Sequence, residues 1–211
     1  MCIRDRLVIE PPLDYQLDAL GKLEFYPKVF QYLSRIVEEL DFELVMVTNQ
    51  DGLGTDSFPE ETFHPPHNMM MKAFENEGIM FKEVIIDKTF PHENAPTRKP
   101  QTGLLTHYMT GEYDLENSFV LGDRLSDMQL ATNLGAKGIF ISNNKSHTDA
   151  DANKNIEQKT IDETIVLTTS EWKTIYHFLK NPNRTSTVRS CLLYTSPSPR
   201  DATLSRMPSS A

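Results

Sequence analysis

The sequence predicts an α/β fold, doubly wound around a mainly parallel sheet. Three observations predict it. Short apolar, β-rich runs alternate with longer stretches of helical period. Three of the short runs are followed at once by polar signatures, the position where open α/β sheets place their ligands. About 180 residues between two atypical ends suit one domain with one core.

The elements follow in order. Over residues 27–40, Val29, Phe30, Leu33, Ile36, Val37 and Leu40 recur at helical spacing behind Pro27, a residue suited to a first turn, and ELVMV (43–47) follows as a buried strand. A second helix is expected over 60–77, stopped by Gly78, with Met69, Met70, Met71 and Phe74 on or near its buried face, where methionine fills irregular gaps. Residues 83–86 make the next strand, and a loop rich in Pro, Asn and Thr leads to a helix over 102–109. The pattern repeats with a strand at 118–121, a helix over 126–134 closed by Gly135 as a left-handed cap, and a strand at 137–141. Residues 142–159, rich in Asn, Asp and Lys without apolar period, read as a solvated insertion. A short strand at 164–167 precedes a helix capped by Ser170 that carries Trp172, Ile175, Tyr176 and Leu179 on one side. From Asn181 the sequence NPNRTSTVRS has linker character.

Both ends look foreign to this pattern. CLLYTSPSPRD (191–201) resembles the translation of a transposase-type sequencing adapter, SRMPSSA (205–211) fits an outer adapter behind it, and MCIRD (1–5) is the same end read on the opposite strand. The division expected is a non-native flank over 1–6, a domain over 7–180 lacking its first strand, a linker over 181–190, and a non-native tail over 191–211. A Ser-, Pro- and Arg-rich natural tail would have the same composition.

Composition narrows the partners. The chain carries 21 Lys and Arg against 30 Asp and Glu, a net charge of −9, and setting the flanks aside moves it to −11 because four arginines and two acids go. An acidic surface without a basic stripe excludes nucleic acid as the expected partner, so any bound phosphate must be held by local cations. Both cysteines, Cys2 and Cys191, lie in the flanks, which leaves no disulfide and no thiolate zinc site and points to a reducing, cytoplasmic compartment. No apolar run approaches the roughly 18 residues of a membrane span. The histidines at 64, 67, 92, 107, 147 and 177 show no carboxylate-flanked metal spacing and read as structural or exposed.

The chemistry gathers at the strand ends. After ELVMV comes Thr48-Asn49-Gln50-Asp51-Gly52-Leu53-Gly54-Thr55; after the expected strand at 83–86 comes Arg98-Lys99-Pro100; after FVL comes Gly122-Asp123-Arg124, with Asp127 four residues beyond Asp123. A hydroxyl with backbone N–H groups, a fixed lysine and a strand-end carboxylate are what phosphoryl transfer needs: donors for the equatorial oxygens, a positive charge and a magnesium ligand. Taken singly, Thr48 could be a helix cap, Lys99 a surface charge and Asp123 a turn residue. Their order at successive strand ends favours one mouth. Arg98, Arg124 and Glu10 stay open between substrate contacts and surface ion pairs.

At these residues the chain resembles the haloacid dehalogenase superfamily, through Thr48, Lys99, Asp123 and Asp127 in order. Within it, LVIEPP (7–12), VMVTNQDGLGTDSFP (45–59), PHNMMM (66–71), RKP (98–100) and VLGDRLSD (120–127) resemble histidinol-phosphate phosphatase domains. The resemblance implies a Rossmann-like fold with a minimal cap. It implies a magnesium-dependent hydrolysis of L-histidinol phosphate through an aspartyl phosphate, in histidine biosynthesis. It also implies the roles. Asp123 would hold Mg2+, with Asp127 in the metal shell or orienting Lys99; Thr48 and Lys99 would bind the phosphoryl oxygens; Asn49 and Gln50 would add donors; and Arg98, Arg124 and Glu10 would contact the small phosphate monoester.

The sequence departs from the family at two places. Four positions that hold zinc in some relatives are here Asp87, Thr89, Ala95 and Thr97, so no zinc is expected, and the loop is expected to be held by its prolines, Asn94 and Thr97. Counted back from Leu7, the nucleophile falls at Cys2 and the general acid/base at Arg4, neither of which matches; the chain should be inactive. Loss of that first strand should also leave its neighbours unpaired. RTSTVR (184–189) resembles the opening strand of a fused imidazoleglycerol-phosphate dehydratase domain. The alternatives are a sugar bisphosphatase of the same superfamily and a non-catalytic phosphate-binding module.

Overall fold

The structure, a computed structural model, describes residues 7–9, 16–142, 158–181 and 190–196, the last segment by its backbone. Six strands form one sheet in the order β2-β1-β6-β3-β4-β5, with every neighbouring pair parallel. The strands are β1 (Phe42–Asn49), β2 (Phe81–Asp87), β3 (Phe119–Gly122), β4 (Lys137–Phe140), β5 (Ile165–Thr168) and β6 (Ser190–Ser196). The helices are α1 (Val29–Glu39), α2 (Glu60–Asn76), α3 (Leu125–Leu134), α4 (Gln158–Thr164) and α5 (Trp172–Leu179).

Strand periodicity divides the core into two layers. Successive side chains point to opposite faces. Leu44, Met46, Phe119 and Leu121 therefore join a cluster with Val29, Leu33 and Ile36 of α1, Met70 and Phe74 of α2, and Trp172, Ile175 and Leu179 of α5. Val45, Val47 and Val120, the residues between them, join Leu105, Tyr108 and the α3 residues Leu130, Ala131 and Leu134 on the other face. Two runs, LVMV and FVL, thus serve both layers at once, which is why they read as continuous apolar strands.

Several expectations change. The slot between β1 and β3, expected to lack a strand, is filled by β6, which pairs along its full length with β1 (Phe42↔Ser190 to Thr48↔Ser196) and with β3 (Phe119↔Leu192 to Leu121↔Tyr194). Residues 191–196 of the expected tail thus lie in a strand of the sheet; CLLYTS is an uncharged run without Gly or Pro, a composition compatible with extended backbone. The helix expected over 102–109 is only a 3-10 turn, Thr106–Met109, since Thr102, Gly103 and Thr106 weaken the first turn. The expected insertion ends in a helix, α4, whose Ile161 packs against Met128 and Phe140. Met69 is 49% exposed, while Met70 beside it is 2% exposed, so only part of the methionine run is core. Pro27 lies in the turn before α1, whose N-cap is Lys28. Ser170 does not cap α5; Glu171 stands at that position, and Thr169 Oγ1 accepts the Glu171 N–H at 3.1 Å. Gly135 closes α3 at φ 70°, and the Ala136 N–H returns to Ala131 O at 2.9 Å, the bonding of a left-handed cap.

Candidate active site

The carboxyl ends of β1 and β3 bring the expected residues together with a loop that follows β2. Thr48 and Asn49 are the last two residues of β1 and both are buried. Gln50 Nε2 donates to Thr48 Oγ1 at 2.6 Å, and the Gln50 N–H donates to Asp87 O at 2.7 Å. The loop leaving β1 is thereby tied to the end of β2, with the Thr48 hydroxyl accepting from Gln50.

Asn49 grips the lysine that follows in space. Its Oδ1 accepts the Lys99 N–H at 3.2 Å and its Nδ2 donates to Lys99 O at 3.4 Å, so one side-chain amide brackets one residue's backbone. The Lys99–Pro100 peptide is cis. Lys99 Nζ then lies 3.0 Å from Asp127 Oδ1, with the two side chains 2% and 0% exposed.

Asp127 serves two masters. Its Oδ2 accepts the Arg124 N–H at 3.1 Å at the start of α3, satisfying an amide that a helix N-terminus would leave unbonded. Of the two roles expected for it, metal shell or lysine orientation, the geometry places it on Lys99. Gly122, the last residue of β3, makes this possible by steric absence: a Cβ there would meet Asp127 Oδ2 at 2.1 Å.

A second buried ion pair stands beside the first. Arg98 Nη1 is 2.5 Å from Asp51 Oδ1, with side chains 5% and 0% exposed, and it also donates to Thr89 O. Consecutive cations are thus clasped by carboxylates from different segments, Asp51 in the β1–α2 loop and Asp127 in α3. Breaking either pair would strand a buried charge. Asp51 escaped sequence analysis; the available signal was an acid inside the polar run after β1, matched by a basic pair after β2. Arg124 and Asp123 are half-buried at the β3 end. Glu10, Cys2 and Arg4 lie outside the described residues.

The β2–Arg98 loop is organised by its own polar groups. Asp87 Oδ1 accepts from the Thr89 N–H at 2.9 Å and from Thr89 Oγ1; Asn94 adopts φ 48° and donates from Nδ2 to His92 O at 3.3 Å.

The donor set also bears on a divalent cation. Among the described residues no group of three or more His, Cys, Asp or Glu could hold a metal ion by itself. Asp123, the residue after β3, is a half-buried strand-end carboxylate. Magnesium is commonly bound by one or two carboxylates, with substrate oxygens and waters completing an octahedron, so a strand-end carboxylate suits its chemistry. No helix among the described residues is long and apolar enough to cross a membrane.

The HAD-hydrolase-like family matches residues 96–166. The histidine biosynthesis bifunctional protein HisB of Bacteroides fragilis (strain ATCC 25285) is 50% identical over 184 residues, which is 87% of this chain and 47% of that protein. HisB of Spirosoma linguale is 51% identical over 86% of this chain and 48% of its own length. The chain therefore spans about half the length of these curated relatives. Among solved structures, the D,D-heptose 1,7-bisphosphate phosphatase of B. bronchiseptica, complexed with magnesium and phosphate, has a TM-score of 0.61 at 20% identity, covering 82% of this chain and 93% of that one. A putative HAD-like phosphatase from Mesorhizobium loti has a TM-score of 0.55 at 17% identity, covering 84% of each. The parallel sheet, the order of Thr48, Lys99 and Asp123 at its mouth, and the identity to the histidine-biosynthesis proteins lead to one conclusion: the chain belongs to the haloacid dehalogenase superfamily.

Proposed function

We propose that this chain is the phosphatase module of a bifunctional histidine-biosynthesis protein, and that its parent hydrolyses L-histidinol phosphate to L-histidinol and phosphate with magnesium. The observation that carries this reading is the buried Lys99–Asp127 ion pair at 3.0 Å, set at the same sheet edge as Thr48 and Asp123. Asp127 orients Lys99, and Asn49 holds its backbone, so the ammonium meets phosphoryl oxygens without first having to be ordered. Gln50 directs the Thr48 hydroxyl as a second donor. Asp123 would hold magnesium, which when bound neutralises charge on the phosphoryl oxygens. Arg98 and Arg124 flank the site, Arg98 as a buried strut between loops.

The two aspartates that act first in this superfamily are replaced by Cys2 and Arg4, so the chain binds a phosphate monoester without turning it over. The RTSTVR segment (184–189) continues, in the parent, into the fused dehydratase domain. Phosphate release from L-histidinol phosphate, with and without magnesium, tests the reading. The chain should show background rates, and a version with a strand ending Asp-Arg-Asp-Gly-Thr ahead of Leu7 should turn over, because loss of a nucleophile costs several orders of magnitude. No gain on restoration would sink it.

A second reading, a phosphate-binding module without turnover, is favoured by the register Thr48↔Ser196, which puts a hydroxyl residue and no carboxylate at the end of the strand beside β1. Genomic DNA across the 5′ end separates the two. A start codon with no Asp-x-Asp upstream supports the module.

A further inference from the structure

Arg98, Lys99 and Pro100 sit in one tight turn, closed by the Gln101 N–H donating to Arg98 O at 2.8 Å, and each is held by a different segment. Asp51 holds the Arg98 guanidinium, Asn49 brackets the Lys99 backbone, and Asn133 Nδ2 donates to Pro100 O at 2.8 Å. Asn133 belongs to α3, the helix that also carries Asp127, the acceptor of the Lys99 ammonium.

The two α3 contacts act on one object. Asn133 follows Asp127 by six residues, about 9 Å of helix at 1.5 Å per residue, so one rigid element grips the Lys99–Pro100 unit at its ammonium and at its backbone. Asn49 ties the turn to β1, whereas Asn133 ties it to the helix that bears the ammonium's partner. Helix propensity does not account for the residue: asparagine is a weak helix former, and position 133 is exposed, where propensity rather than packing decides. Its contact does account for it, because Pro100 is buried and its carbonyl needs a donor.

We infer that Asn133 is a positioning residue for the phosphate lysine: through Pro100 O it fixes the height of the turn along α3, so that the Lys99 ammonium stands at Asp127 Oδ1 before phosphate arrives. The inference rests on the phosphatase reading above, in which Lys99 binds phosphoryl oxygens; Asn133 itself touches no substrate. A charge prearranged in this way needs no ordering on binding, and such an arrangement is sensitive to displacements of about 1 Å.

Calorimetric titration of the full chain with inorganic phosphate in magnesium, paired with the nitrogen NMR signal of the Lys99 ammonium, tests it; Lys99→Arg identifies that signal by its loss. Asn133→Ala should weaken phosphate binding about three- to tenfold, the scale of one hydrogen bond. It should also shift the Lys99 signal while the other lysines keep theirs. An asparagine that only supports the fold would lower thermal stability and leave both readouts unmoved. Unchanged phosphate affinity, or weaker binding with an unmoved Lys99 signal, would overturn the assignment while leaving the phosphatase reading intact. An unaltered chain that binds no phosphate would overturn that reading, and this inference with it. Should Asn133→Ala not fold, Asn133→Asp decides: it keeps the shape and removes the donor, and phosphate affinity equal to that of the unaltered chain would count against the proposal.

Discussion

A Cβ placed on Gly122 would stand 2.1 Å from Asp127 Oδ2 and 2.4 Å from its Cγ. The last residue of β3 is therefore glycine so that a carboxylate from α3 can reach back across the strand end to Lys99. Gly122→Ala should displace Asp127, lower affinity for inorganic phosphate, and destabilise the fold by about 1–3 kcal/mol through overpacking. Gly21→Ala is the control, since nothing lies within 4 Å of its added Cβ. Equal phosphate affinities for the two variants in calorimetry would refute the steric account.

The Lys99–Asp127 pair is a position where one charge is worse than two or none. Asp127→Ala should cost about 3–5 kcal/mol, because it leaves a buried ammonium alone. Lys99→Met combined with Asp127→Leu should recover part of that stability while abolishing phosphate binding. Urea unfolding of both variants checks this; a double variant no more stable than Asp127→Ala would contradict it.

Glu39 gives the acid limb of stability. Hydrogen bonds from Lys180, then Tyr176, then Arg35 hold its carboxyl down at about 2, from an ordinary 4.5. Because the folded value is depressed, the contribution is fully present above about 4.5 and is lost as pH falls toward 2. The site is solvent-exposed, so salt should weaken the effect. Thermal midpoints of the chain and of Glu39→Gln should differ at pH 6 and converge near pH 2; a difference that persists unchanged into acid would argue against the linkage.

β6 carries its own test. Leu193 pairs with Val45 on one side and Val120 on the other. A proline there removes a donor in the middle of the sheet, so Leu193→Pro should abolish cooperative unfolding. A thermal transition as sharp as that of the unaltered chain would show that residues 190–196 do not occupy this slot.

Most of the framework was legible in the sequence because it rests on local pattern. ELVMV and FVL announce strands, and the polar runs behind them mark the mouth. Thr48, Lys99 and Asp123 could be named for the same reason. What was not legible depends on long-range pairing. Nothing local tells CLLYTS that it will lie between β1 and β3, since its composition fits a tail as well as a strand. The 102–109 segment has apolar residues at helical spacing, but Gly103 packs against Pro96, where a Cβ would lie 2.4 Å from a carbonyl oxygen, and tertiary contact overrides propensity. Asp51 was passed over because a buried acid is recognisable only once Arg98 is found beside it.

The position of β6 also bears on the order of assembly. Phe42 and Ser190 are partners in the sheet although most of the chain lies between them, and β1 and β3 each pair with this late segment, which stands between them in the sheet. During synthesis, the β1–β2 pair and the β3–β4–β5 group can each form as soon as they emerge, but the two halves stay separate sheets until residues 190–196 leave the ribosome. Closure then depends on a loop search over the longest sequence separation in the sheet, the kind of contact that slows folding most. Pulse-labelled chains halted before Ser190 would accordingly expose two apolar edges to chaperones, and release of the final segment would bury both in one step.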